Sequence, residues 1–137
     1  MAEHRCRACV VYCMDFRLHE SLANFFAEQK LDGDGADVIR VGGAIKSLSR
    51  PKEARDREFL LEQLNVAYAL HGVRQFYLIN HEDCGAYGLE DVVDSPEELA
   101  THREDLRVAK ILIQDRFPDT EILTYFMKLS GTAEVVD

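Results

Sequence analysis

No stretch of this 137-residue chain approaches the ~18 consecutive apolar residues that a membrane-spanning helix needs. The opening MAEHRCRACVVYCMDFR also lacks an apolar run long enough for a signal peptide. We therefore expect a cytoplasmic protein with no membrane partner. Positive charge is in deficit: sixteen Lys and Arg stand against twenty-five Asp and Glu, a formal net charge of −9. Such a balance repels nucleic-acid phosphates and anionic lipid, so nucleic acid is not an expected partner. Glycine is present but not in a phosphate-binding pattern, since RVGGA and CGAYG neither complete G-x-G-x-x-G nor end in Gly-Lys-Ser/Thr. A phosphatase loop with cysteine and arginine six apart is missing too, because His19 and Glu90 stand six residues past Cys13 and Cys84. Internal repeats, low-complexity tracts and linkers are absent. The length predicts one domain over residues 1–137, able to bury roughly two-thirds of its unfolded surface.

What is there alternates between two hydrophobic periods. ACVVYC reads as a strand, apolar almost throughout as in a parallel sheet covered on both faces. Leu18, Leu22, Phe25 and Phe26 then recur at helical spacing up to LDGDG. ADVIRV is a second strand closed by Gly42-Gly43, and a helix follows from about Pro51 to His71 with Gly72 at its end. GVRQFYLIN is a third strand. Ser95, Pro96 and Glu98 predict an N-cap, an N1 proline and a closed capping box for a helix that stops before Pro118. TEILTYFM gives a fourth strand, and KLSGTAEVV a turn into a short C-terminal edge strand. The fold class predicted is α/β: a parallel sheet of about four strands in the order 2-1-3-4, with right-handed crossovers and helices on both faces. Ligands of such sheets sit beyond the carboxyl ends of the strands where the order reverses, here between strands one and three. Those strands end in CMDFR and HEDCG.

Cys13, His81 and Cys84, distant in sequence, are thereby expected to meet. Two thiolates and an imidazole are three ligands for Zn²⁺, and three protein ligands with an open fourth position is the pattern of a catalytic zinc site. A reducing compartment likewise makes the four cysteines thiols or metal ligands rather than disulfides. Cys84 stands where a short helix could open and favour its thiolate. Asp15 and Arg17, two apart, would point the same way on an extended chain and form an ion pair. Beside a metal, the guanidinium would keep Asp15 ionised and oriented, ready to accept a hydrogen bond from bound water or to ligate the metal itself. Cys6-x-x-Cys9 begins a strand rather than opening a helix after one, which argues against a redox pair. A structural zinc there lacks a second cysteine pair unless Cys84 is borrowed. His19 reads as an exposed helix-start residue, and His4, His71 and His102 show no partner pattern.

Cys13-x-Asp15-x-Arg17 followed by His81-x-x-Cys84-Gly85 resembles the zinc signature of the β-class carbonic anhydrases, and the likeness extends from the first strand to the closing hairpin. The resemblance implies zinc on Cys13, His81 and Cys84, with Asp15 and Arg17 as a catalytic dyad. It also implies reversible hydration of carbon dioxide to bicarbonate by a zinc-bound hydroxide, in a homodimer or dimer-based assembly. Two features differ from the family pattern: only twelve residues precede Cys13 where a helical arm is usual, and Val41-Gly42-Gly43 replaces an Asn-Ala-Gly-like turn. The alternatives are a related hydrolase of a small linear molecule such as carbon disulfide or carbonyl sulfide, and a non-catalytic zinc protein of the same fold.

Overall fold

The computed structural model describes residues 4–33 and 35–137. Five strands form one sheet: β1 (Ala8–Tyr12), β2 (Ala36–Arg40), β3 (Gln75–His81), β4 (Glu121–Met127) and β5 (Ala133–Val135). Their order is β2-β1-β3-β4-β5, parallel except for β5, which runs antiparallel to β4. This is the predicted order with the predicted edge strand. The reversal lies where expected, with β1 flanked by β2 on one side and β3 on the other.

Strand alternation divides the core into two layers. Cys9, Val11, Phe76, Leu78, Ile122 and Phe126 face one side, under α3 (Ala54–His71) and α4 (Pro96–Arg116). Those helices contribute Leu60, Leu64 and Ala67, and Leu106, Ala109 and Ile113. Ala8, Val10, Tyr12, Tyr77, Ile79, Tyr125 and Met127 face the other side, beneath Leu22 and Phe25 of α1 (His19–Glu28). Burying both faces is why the central strands read as almost unbroken apolar runs.

Local departures from the sequence expectation have local causes. The helix predicted from Pro51 is preceded by a separate four-residue helix, α2 (Lys46–Ser49), and itself begins at Ala54 behind a capping box of Glu53 and Asp56. Gly72 ends α3 in the left-handed conformation, φ 68°, as anticipated for a C-terminal glycine. Ser95 caps α4 through a bond from the Glu98 N–H at 3.2 Å, with Pro96 at N1. The Glu98 side chain, however, does not close the capping box: it turns inward to the loop after β3. None of the helices among the described residues is long and apolar enough to cross a membrane.

Candidate metal centre

Cys13 follows the last residue of β1, where the chain must turn off the sheet. The turn is made by Asp15, whose side chain caps a 3₁₀ turn over Phe16–Leu18 by accepting the Arg17 N–H at 2.8 Å. Asp15 and Arg17 do pair, but through this turn rather than along an extended strand. The Arg17 guanidinium grips both carboxylate oxygens, with Nε 3.1 and 3.2 Å from Oδ1 and Oδ2 and Nη2 2.7 Å from Oδ2. That grip, opposed by burial, holds the Asp15 carboxyl down at about 2. Arg17 also reaches the second loop, donating to Asp83 Oδ2 at 3.1 Å and to the Asp83 carbonyl at 2.8 Å.

His81 is the last residue of β3 and only 1% exposed. Its Nδ1 donates to the Glu82 carbonyl at 2.7 Å, which turns Nε2 toward Asp15. That Nε2 is buried and has no hydrogen-bond partner among the described residues. Asp83 then adopts φ +55°, a left-handed conformation that Asp tolerates better than most residues, and folds Cys84 back toward Cys13. Residues around Cys84 form turns rather than the anticipated short helix, so no helix dipole acts on that thiol. Instead, backbone N–H groups bear on both sulfurs, those of Gly43 and Asp15 on Cys13 and those of Ala86 and Tyr87 on Cys84.

The Cys13 and Cys84 sulfurs are 4.0 Å apart, and with His81 they place one donor atom each within 4.8 Å of the others. Two sulfurs at ~2.3 Å from a tetrahedral zinc stand roughly 3.8 Å apart. The donor set therefore fits zinc in spacing, in chemistry and in its orphaned imidazole nitrogen. The contact between the two sulfurs holds the Cys13 thiol well below the ordinary thiol range and pushes that of Cys84 up. Asp15 Oδ2 lies 3.8 Å from His81 Nε2, so the carboxylate faces the same point. A cleft of about 610 Å³ opens over it, lined by Cys13, Met14, Asp15, Phe16, Gly42 and Ala86 among others.

Several residues that hold this geometry were not singled out from the sequence. Arg40, at the end of β2, donates to the Cys13 carbonyl at 3.2 Å and the Asp15 carbonyl at 3.1 Å, with its guanidinium 4.8 Å from the centre of the Tyr12 ring. Its Nη1 also donates to His19 Nδ1 at 3.1 Å, on the exposed start of α1. A basic residue ending the strand beside β1 was a readable signal. Gly43 has φ +79°, and a Cβ there would come 3.2 Å from Ala86 Cβ, so the glycine lets the two loops touch. Glu98 and His102 are buried behind the second loop, where helical spacing alone could not place them.

The fold is shared with solved structures. A carbonic anhydrase from Glaciozyma antarctica superposes with a TM-score of 0.65 at 22% identity, covering 100% of this chain and 85% of that one. A carbon disulfide hydrolase superposes at 0.53 with 16% identity, covering 93% and 76%. At these identities the likeness is one of fold. In sequence, an uncharacterized protein of Rickettsia conorii is 27% identical over 131 residues, 93% of this chain and 70% of its own length. A family model described as "Putative carbonic anhydrase" matches residues 3–137, and the chain belongs to that family.

Proposed function

We propose that this protein catalyses the zinc-dependent reversible hydration of carbon dioxide to bicarbonate, with Cys13, His81 and Cys84 holding the metal and Asp15 and Arg17 acting beside it. The observation that carries the reading is the buried Cys13, His81 and Cys84 donor set, its orphaned Nε2 lying against an Asp15 carboxylate that Arg17 holds ionised. Cys13, His81 and Cys84 would hold the zinc, which would act as a Lewis acid and lower the pKa of bound water toward ~7. The N–H groups on the two sulfurs temper the charge that the thiolates donate. Asp15 stays an ionised acceptor across the neutral range. Its Oδ2, 3.8 Å from His81 Nε2, would accept a hydrogen bond from the attacking water and orient its lone pair. Met14 and Phe16 make the cleft apolar, which suits an uncharged linear substrate.

Met14 and Phe16 are also 65% and 77% exposed at the cleft mouth. We read them as surface that a second copy covers, in a homodimer or dimer-based assembly of single-domain chains in the cytoplasm. Carbon dioxide and bicarbonate are the expected small-molecule partners, with neither nucleic acid nor membrane.

Two other readings have an observation each. The fold shared with a carbon disulfide hydrolase supports carbon disulfide or carbonyl sulfide as substrate. The bonds from Arg17 to Asp83 give the dyad a structural use, joining the two metal loops, and so support a non-catalytic zinc protein. Stopped-flow hydration of carbon dioxide from neutral to alkaline pH, on protein whose zinc content is measured in the same sample, separates the carbonic anhydrase reading from both. Zinc-loaded protein whose activity rises with pH supports the carbonic anhydrase reading. Zinc-loaded protein inactive at every pH overturns it.

A further inference from the structure

The opposite end of the sheet carries a second group of metal-ligating side chains. Cys6, two residues before β1, is pinned by its backbone N–H to the carbonyl of His71 at 3.1 Å. His71 is the last residue of α3, and its Nδ1 lies 2.6 Å from Oδ2 of Asp37 on edge strand β2. Cys6, Asp37 and His71 place one donor atom each within 4.8 Å of the others. All three are partly exposed, so an ion can reach them from solvent. The His4 ring stands edge-on to His71, with centroids 6.1 Å apart. The group sits at the amino ends of β1 and β2, whereas Cys13 lies beyond the carboxyl end of β1. Six residues of largely extended chain lie between Cys6 and Cys13, a separation of roughly 20 Å.

We propose that Cys6, Asp37 and His71 form a second site for a divalent transition metal of the Zn²⁺ type, with His4 or water completing the coordination. Thiolate, imidazole and carboxylate together are a zinc donor set, whereas Mg²⁺ and Ca²⁺ call for oxygen shells that this group does not provide. The thiolate and carboxylate balance the charge of a dication. Donors on a tetrahedral zinc stand roughly 3.3–3.8 Å apart, so the set closes on an ion with shifts of about an ångström. The short contact between His71 and Asp37 opens as the ion comes between them, and the proton of that hydrogen bond and the Cys6 thiol proton pass to solvent. The site clasps the segment ahead of β1 and the sheet edge to the end of α3, which is the work of a structural metal.

Other uses of these residues fit less well. Cys9, opposite Asp37 in the β1–β2 register, is fully buried among apolar side chains, and burial pushes its thiol far up, so Cys6 and Cys9 make a poor redox pair. Burial and the Asp37 carboxylate disfavour a free Cys6 thiolate, which argues against a nucleophile. A dication between thiolate and carboxylate reverses that repulsion. A simple ion pair of Asp37 and His71 needs no third donor.

The test is metal content after zinc saturation and dialysis, on the native chain and on Cys6→Ser and Asp37→Asn, each checked for folding by circular dichroism. The native chain is expected to keep one zinc more per chain than either variant. Asp37→Asn preserves shape, so its loss of metal reports a ligand rather than a misfold. Cys84→Ser, which disables the Cys13 centre, should keep this ion and, loaded with Co²⁺, show a single-thiolate charge-transfer band that Cys6→Ser abolishes when added. Equal zinc in the native chain, Cys6→Ser and Asp37→Asn overturns the proposal. The Cys84→Ser arm keeps this outcome separate from any failure of the carbonic anhydrase reading.

Discussion

Glu98 Oε2 accepts the backbone N–H of Asp83 at 2.8 Å, from a helix fifteen residues further along the chain. Its other oxygen accepts the Asp94 N–H at 2.9 Å, and the residue is 1% exposed. The carboxylate thus anchors the turn between His81 and Cys84 from behind. Glu98→Ala should cost about 3 kcal/mol of folding stability, since bonds to a charged acceptor contribute ~1.5–3 kcal/mol each and two partly buried donors are left unpaired. It should also weaken zinc binding at the Cys13 centre by about tenfold or more, as loss of a ligand-orienting partner commonly does. Denaturant unfolding and zinc competition read the two effects. Native values for both would show that the loop holds its shape without Glu98.

Asp15→Ala removes the oriented acceptor while leaving Cys13, His81 and Cys84 in place. Hydration activity should fall by about two orders of magnitude or more, in the range of a positioned acid or base, with zinc retained. Stopped-flow assay with metal analysis on the same sample checks it. An undiminished rate removes Asp15 from the chemistry.

Cys84→Ser replaces a thiolate with a weaker ligand at the second loop. The variant should hold one zinc fewer per chain than the native protein. Retention of the native zinc content would refute Cys84 as a ligand.

His102 is fully buried, with its ring centroid 4.2 Å from that of Tyr87 and 5.1 Å from that of Phe126. Burial holds its pKa down at about 4, against ~6.5 in the unfolded chain. Asn80 Nδ2 stands 2.9 Å from His102 Nδ1, which accepts only while the ring is neutral. The unfolded chain therefore takes up the proton first. The stability tied to neutral His102 is fully present above about pH 6.5, is lost as the pH falls, and levels off below about 4, for a total of at most about 3 kcal/mol. Denaturant midpoints measured across that window should slope in the native protein and flatten in His102→Gln. An unchanged slope would place the acid sensitivity elsewhere.

The strands and the candidate donor residues were legible because each is announced by short-range chemistry. An apolar run of β-type residues can be read without knowing its neighbour, and Cys13 and His81-x-x-Cys84 declare themselves by type and by position at strand ends. Alternating strands and helices with the usual crossover hand are compatible with the order 2-1-3-4, and the pairing of β1 with both β2 and β3 realises it. The Glu98 capping box failed for a physical reason: the Asp83 and Asp94 N–H groups offered that carboxylate two bonds, which no local pattern reveals. Cys84 opens no helix because the left-handed Asp83 directs the chain into consecutive turns.

By itself, then, the sequence determined the α/β class, the place of Cys13, His81 and Cys84 at the ends of two strands, and the pairing of Asp15 with Arg17. Only the tertiary structure decided what surrounds them. Arg40 comes to the Cys13 loop because parallel pairing sets it beside Tyr12, and Arg17 spans to Asp83 because two strand ends converge. His71, Asp37 and Cys6, which show no shared pattern along the chain, meet because a helix end, an edge strand and the start of β1 converge at one end of the sheet. Periodicity reports which face of an element is buried; which distant side chains share that space is a property of the packed fold.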